Sequence, residues 1–490
     1  MHECCHARRD FIRTVSLGTA GAVTAGLVHP SRIEGAWSPG MQINPHIDNW
    51  RVVCCYDAGL LKSPSANIPN VLASNDETRM RAQTDAVDAS RVERALDLMA
   101  LSLADSDNIA AAWATIFQQP SRGWSTARVA IKVNASFKLH PAVAIVGKVC
   151  RELHALGVPY ENIVLYDIWQ WETGGEESRS NPRSVYAPYI GAGIPAGVHA
   201  DSARKETMGG SLAPAPVPPP AEGDYPVVKA LADGEIDVLV NIAVNKGHEP
   251  WNGSYTLCMK NHFGTFTSMP YPGEWPDNHG DYKYIIAINK SDAIIGGTPP
   301  RQQLCIVDSI FGAMEGPIDI YTLKDPCRIV MGTFAPAVDF LTVRRIREEV
   351  MGATHDAALV DGVLPHFGYD PADSAIRDAQ FVMVEIPTTV QPTRHQADRP
   401  GGIVMRIVRR RGPGGNLKLL WEGYVPTGER MADITILNAE GRRILHQQSA
   451  MHFEGESAVV FLNTDGVKPN QNAIVRVRVG SMVFTESIVL

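Results

Sequence analysis

The stretch Val244–Gly264 reads VNKGHEPWNGSYTLCMKNHFG. It follows a short apolar run and gathers Lys246, His248, Lys260, Asn261 and His262 with little hydrophobic periodicity. Lysine ammonium groups bind carboxylates and phosphates as point charges. A neutral imidazole can accept a proton or ligate a divalent transition metal, and a carboxylate can complete such a ligand set. Other residues of these kinds follow apolar runs elsewhere: Lys132, Asn134, Lys138 and His140, then Asp167, Asp308, Glu315 and Asp339. The expected catalytic residues are His248, Lys260 and Asp308. Lys132, Asn134, Lys246 and Asn261 would hold and orient a small anionic substrate. His248, His279 and Asp308 would form a metal set whose three ligands leave coordination positions open to water or substrate. Each residue also has a structural reading. Asp308 could be a turn former or a helix cap. Asp339 could complement the dipole of its own helix, and His262 could pack beside Phe263. Lys132 and Lys260 could lie along the surface with their stems covered.

The elements that would position these groups alternate between strands and helices. "ARVAIKV" (127–133) predicts a buried strand, 141–156 a helix with Pro141 at its start and Gly157 past its end, and "NIVLYD" (162–167) another strand. Strands are also expected over 235–244, 303–310 and 327–333, and "YKYIIAI" (282–288) reads as a strand or buried segment. A short helix is expected over 227–231 and a longer one over 336–351. This order predicts an α/β domain with a mostly parallel sheet and flanking helices. Ligands in such sheets bind beyond the carboxyl ends of the strands, which is where the polar residues above fall. Between Trp169 and Asp224 the chain turns polar, Gly-rich and finally Pro-rich ("APAPVPPPAEGDYP"), a lid or a spacer.

After Pro387 the texture changes. Residues 387–402 read as a linker, and 403–490 carry short alternating strands separated by turn signals, the pattern of a small β-sandwich. The α/β domain is thus bounded at 37–386. Residues 1–36 stand apart at the other end: paired Arg8 and Arg9, then Phe11, then a charge-free, weakly apolar run from Val15 to Val28. That run is too short for a comfortable membrane span, so the segment reads as an export signal and leaves no transmembrane segment in the mature protein.

The bulk numbers exclude some classes. The 490 residues are 44% hydrophobic and 20% charged, an ordinary globular composition. A net charge of -8 argues against nucleic acid as a partner, because phosphate contacts need a basic patch. Of the eight cysteines, Cys4 and Cys5 belong to the signal. The other six show no C-x-x-C spacing, so no iron–sulfur cluster or structural zinc is expected. Cys150 and Cys305 sit in apolar runs and read as buried small hydrophobes.

Several ordered motifs carry a resemblance. "RVAIKVNASFKLHP", "VNIAVNKGHEPWNGSYTLCMKNHFG", the later Asn278–His279, "CIVDSIFGAMEGP" and "FAPAVDFLTVRRI" resemble the domain of unknown function 362 family over Arg128 to about Gly368. Many members of that family carry a ferredoxin-like cysteine cluster, which this chain lacks. The order of His248, Lys260 and His279 is faintly similar to the nickel-pincer lactate racemases. There the corresponding residues transfer a proton, anchor the cofactor and ligate the metal, but the Ser-Gly-Gly-x-Lys of that family is replaced here by "SYTLCMK". The first segment resembles a twin-arginine signal, which implies the twin-arginine translocation machinery as a partner and a periplasmic or extracellular location. "ITILNAEGRRIL" resembles C-terminal immunoglobulin-like accessory modules of secreted bacterial proteins.

Two classes of function follow. One is an exported enzyme that uses a divalent metal or a lysine cluster to act on a small anionic substrate, with proton transfer next to a carboxylate as one reaction type. The other is a non-catalytic ligand- or metal-binding protein, or a structural subunit of an extracellular assembly, attached through the sandwich.

Overall fold

The computed structural model describes residues 37–68, 76–135, 139–167, 182–202, 206–248, 255–266, 283–314, 323–373 and 381–386, and the strands between 404 and 489. The α/β part is organised around one mixed sheet. Its main strands are β1 (Val52–Tyr56), β2 (Val129–Val133), β3 (Ile163–Asp167), β4 (His199–Ser202), β7 (Val238–Gly247), β9 (Gln302–Ala313), β11 (Arg328–Gly332) and β12 (Phe381–Glu385), and the two-residue strands β8 (Tyr255–Thr256) and β10 (Leu323–Lys324) pair with β7 and β9. They lie in the order β12-β1-β11-β9-β7-β2-β3-β4. The run β9-β7-β2-β3-β4 is parallel throughout, whereas β11 is antiparallel to both β9 and β1. The expected mostly parallel α/β sheet is therefore present. The stretch before the first expected strand supplies β1.

The central strands are buried on both faces, which is why they read as near-continuous apolar runs. Successive side chains still alternate between faces. Val129, Ile131 and Val133 of β2, with Val238, Val240, Ile242 and Val244 of β7, face one core. Helices α1 (Asp76–Ala86), α2 (Ala89–Leu103), α3 (Ile109–Ile116) and α4 (Val143–Ala155) cover it. Asp88 and Asn108 cap α2 and α3 by accepting from the backbone N–H groups of Arg91 and Ala111.

The polar insertion is more ordered in its second half than a spacer would be. After helix α5 (Pro182–Tyr186) the Pro-rich segment folds into an antiparallel hairpin of β5 (Leu212–Val217) and β6 (Gly223–Val228), followed by α6 (Lys229–Ala232). At the base of the hairpin, Val228 N–H donates to Thr265 O at 3.1 Å, which ties it to the end of the opening motif.

The second face of the sheet carries Ala130, Tyr166, Leu239, Ala243, Cys305 and Val307. It packs against α7 (Cys258–Asn261), α8 (Lys283–Asn289) and α9 (Ala335–Thr342). Helix α8 corrects the strand reading of "YKYIIAI": Tyr284 to Asn289 are all buried, and an element apolar on every side shows no period by which helix and strand differ. The helix expected over 336–351 is α-helical to Thr342 and a π-turn from Val343 to Glu348. Strand β7 runs three residues past its expected end, carrying Asn245, Lys246 and Gly247 into the sheet.

The C-terminal part forms strands β13 (Val404–Val408), β14 (Leu417–Glu422), β15 (Met431–Asn438), β16 (Arg443–Ala450), β17 (His452–Glu454), β18 (Ser457–Leu462), β19 (Asn472–Val479) and β20 (Met482–Val489), in two antiparallel four-stranded sheets of order β13-β14-β18-β17 and β16-β15-β19-β20. This is the expected small sandwich. Its inner face holds Ile434, Ile436, Val475 and Val477, all buried. No helix among the described residues is long and apolar enough to cross a membrane.

Candidate functional site

The carboxyl ends of β2, β3 and β7 deliver a continuous set of buried polar groups. Lys132 on β2 is 1% exposed and forms an ion pair of 2.6 Å with Asp167 at the end of β3. Its Nζ also donates to Val133 O at 2.8 Å and to Asn261 Oδ1 at 2.9 Å. The second Asp167 oxygen accepts from the N–H of Ala135 at 2.8 Å. Burial pushes the Lys132 pKa down, and the Asp167 charge opposes that shift.

From Asn261 the network continues into the sheet. Asn261 Nδ2 donates to Asn241 Oδ1 at 2.8 Å, and Asn241 Nδ2 donates to Cys258 O at 2.8 Å and to Gln302 Oε1 at 3.0 Å. His262 Nε2 lies 2.6 Å from Gln302 Oε1, and its Nδ1 lies 3.0 Å from Thr265 Oγ1. That threonine in turn meets the Tyr166 hydroxyl at 3.0 Å. His262 is therefore fully buried and hydrogen-bonded, not simply stacked beside Phe263, and burial pushes its pKa down to about 3. It acts as a neutral structural imidazole. Asn241, Gln302 and Tyr166 were absent from the expected site. The signal for Asn241 was available: an amide inside "VLVNIAV" must find partners, because an unpaired buried amide costs about 1–3 kcal/mol.

A second group faces the α4 side. Lys246 Nζ donates to Asn134 Oδ1 at 2.5 Å and to Leu139 O at 3.3 Å, so two of the expected anion-binding residues touch each other. Burial pulls the Lys246 pKa down to about 7; Asp167 opposes the shift and Lys132 adds to it. His140, 2% exposed, lies within the field of Lys246 and Arg79, and burial with these charges pushes its pKa down to about 3.

The hairpin of β7 and β8 (Tyr255–Thr256) folds the opening motif back on itself, pairing Lys246 with Thr256 and Gly247 with Tyr255. Helix α7 follows at once, bringing Lys260 back toward His248. Lys260 is 4% exposed, with its ammonium 5.5 Å from the centre of the Phe263 ring. His248 is pushed down to about 2, by burial first and then by the charges of Lys260 and Lys246. The two residues singled out first, His248 and Lys260, are thus neighbours, with Lys246 the third member of the group.

The carboxylates play other parts. Asp339 accepts from the N–H groups of Cys258 and Met259, both at 2.8 Å. It caps α7 from α9 instead of complementing its own helix, and burial raises its pKa to about 7. Asp308 accepts from the N–H of Ala142 at 2.8 Å and of Ile310 at 3.0 Å, anchoring the start of α4 from β9. Burial raises its pKa to about 6. Both of its oxygens are engaged with backbone amides. Among the described residues, no group of three or more His, Cys, Asp or Glu is placed to hold a metal ion. His279, Lys138 and Glu315 lie outside the described residues. The metal set of His248, His279 and Asp308 therefore depends on a residue that is not described.

Behind the site, Arg347 is fully buried and donates to Asn245 Oδ1 at 2.6 Å and to Ala313 O at 3.2 Å. It fixes the bulge where β9 gains residues relative to β7, between Val244 and Asn245. The six described cysteines are free and buried, Cys150 and Cys305 among them.

Comparisons with family models, with curated proteins and with solved structures find no match to this chain.

Proposed function

We propose that the carboxyl edge of the sheet is the active site of an exported enzyme that acts on a small anionic substrate. The observation that supports this reading most is the grouping of Lys246, His248 and Lys260. An imidazole whose named charged neighbours are both lysines is held neutral, and such a group attracts an anion. A carboxylate or phosphate bound there would meet the Lys260 ammonium and, once Lys246 has taken up a proton, a second ammonium from β7. Lys132 and Asn261 would serve as positioning residues, since their polar atoms already bond to each other.

The acid–base role passes in this reading from His248 to Lys246. A general base works best with a pKa near the operating pH, and Lys246 at about 7 meets that condition where His248 at about 2 does not. Lys246 would take a proton from a carbon next to the substrate carboxylate, while Lys260 stabilises the negative charge that develops. His248 would hydrogen-bond the substrate. The resemblance of the sequence motifs to the domain of unknown function 362 family is compatible with a site at this edge, and the Arg8–Arg9 segment supports export.

A panel of small carboxylates and phosphate esters, assayed for turnover and for exchange of carbon-bound hydrogen with deuterated water, tests the proposal. Turnover that disappears in Lys246→Gln and Lys260→Gln is expected. Saturable binding with no reaction on any member would instead favour a non-catalytic binding protein.

A further inference from the structure

A separate cavity of about 590 Å³ lies where the C-terminal sheet meets the helical layer of the α/β part, and it shares no residue with the site above. One wall is the end of α2 and the turn after it, with Leu98, Leu101, Asp105 and Asp107. The other is the outer face of the sheet formed by β15 (Met431–Asn438), β16 (Arg443–Ala450) and β19 (Asn472–Val479). The register explains the polarity of that wall. Residues 434, 436, 475 and 477 point into the sandwich, so their neighbours Asp433, Thr435, Arg476 and Arg478 point out of it. Thr435 is paired across the sheet with both Arg476 and His446, so these three side chains form one row along the cavity.

Ion pairs engage part of this polar lining. Arg443 Nε contacts Asp107 Oδ2 at 3.4 Å, and His446 Nδ1 contacts Asp433 Oδ1 at 3.3 Å. Among the described residues, Arg476 Nη2 is buried and has no acceptor. Arg478 and Arg51 add positive charge around it, and Asp105 and Asp433 offset part of that charge. A buried guanidinium N–H without an acceptor has lost its hydration without replacement, a cost that a ligand oxygen would remove. The planar fork of arginine matches carboxylates and phosphates in a bidentate way. The volume falls within the range of small-molecule sites, about 300–1,000 Å³, and junctions between domains are frequent places for them.

We infer that this cavity is a binding site for a small oxoanion, a carboxylate or a phosphate, seated on Arg476 between the sandwich and the turn after α2. Arg476 would supply the main contact, Arg478 would add charge at the mouth, and Thr435 would offer a hydroxyl beside it.

Calorimetric titration of the full chain with inorganic phosphate, and separately with malonate, at constant ionic strength tests this assignment and tells the two chemistries apart. One of the probes should bind saturably. Arg476→Gln should weaken that binding about tenfold or more, equivalent to about 1.4 kcal/mol. Arg478→Gln should weaken it less, and Lys246→Gln, which alters the other site, should leave it unchanged. Binding of neither probe, or binding undiminished in a folded Arg476→Gln protein, overturns the assignment. Should Arg476→Gln fail to fold, Arg478→Gln decides: unchanged affinity for both probes overturns it. Loss of binding in Lys246→Gln with retention in Arg476→Gln would place the anion at the sheet edge and refute this site alone.

Discussion

Gly264 lies directly against Asp167: a Cβ added to the glycine would overlap the Asp167 Oδ1 atom and sit 2.9 Å from Lys132 Nζ. The glycine that closes the opening motif is thus there for space. It lets the motif press onto the buried ion pair of Lys132 and Asp167. Gly264→Ala should force the pair apart and destabilise the fold by about 1–3 kcal/mol, the usual cost of overpacking. Urea denaturation reads this out, and an unchanged midpoint would contradict the packing described.

Removing one partner of the pair should cost more than removing both. Asp167→Asn leaves the Lys132 ammonium buried without its counter-charge, and breaking a buried pair in this way costs about 3–5 kcal/mol. The double variant Lys132→Met with Asp167→Leu should recover much of that loss. A double-mutant cycle in denaturant measures it, and a double variant no more stable than Asp167→Asn would show that the pair is not the main interaction.

How much of this arrangement the sequence disclosed differs by residue. The strand-end positions of Lys132, Lys246 and Asp167 were legible because apolar runs of four to eight residues mark strands, and polar residues after them mark the ligand edge. That His248 and Lys260 share one neighbourhood followed from their shared motif, but the hairpin that brings the motif back on itself was not legible, since β8 is only two residues long. The cap that Asp339 places on α7 joins residues about eighty positions apart. No local pattern encodes such a contact. The burial of α8 was legible but not its helical form, because all-round burial removes the amphipathic period. The hairpin in the Pro-rich insertion was not legible because proline and glycine composition suggests irregular chain, although prolines are tolerated in an isolated two-stranded ribbon with free edges.

Asp339 should act on the site through α7. Asp339→Asn retains one acceptor oxygen for two N–H donors, so it should lose about 0.5–2 kcal/mol of stability, as cap replacements do. It should also weaken binding of any anion held by Lys260. Denaturation midpoints together with ligand affinity check this, and a variant that loses stability yet binds as before would limit Asp339 to a purely structural cap.

Lys246 sets a pH dependence whose sign can be worked out. Its pKa falls from 10.5 to about 7 on folding, so between these values the unfolded chain binds the extra proton. Stability should therefore rise with pH from about 7 to about 8; nearer pH 9 and above, the buried thiols of Cys54, Cys55 and Cys150, whose pKa folding raises from 9, pull it the other way. The raised carboxyls of Asp308, near 6, and Asp339, near 7, act in the opposite direction but below this window. Denaturation free energies across that range should show the rise in the natural chain and a smaller one in Lys246→Met. Identical slopes would remove Lys246 as the cause.

The Arg8–Arg9 pair gives a test of location. Replacing both with lysine should keep the full chain in the cytoplasm when it is expressed in a bacterium with a working twin-arginine pathway. Cell fractionation checks this, and unchanged export of the double variant would point to another route.

The ionisation of Lys246 is the most direct test of the proposed anion site. In protein carrying ¹³C at the lysine ε position, one lysine resonance, absent from Lys246→Gln, should titrate near pH 7. Its midpoint should move upward when a small carboxylate or phosphate binds, because the anion favours the ammonium form. A Lys246 signal that titrates with the exposed lysines near pH 10, or whose midpoint ignores every anion added, would contradict the account.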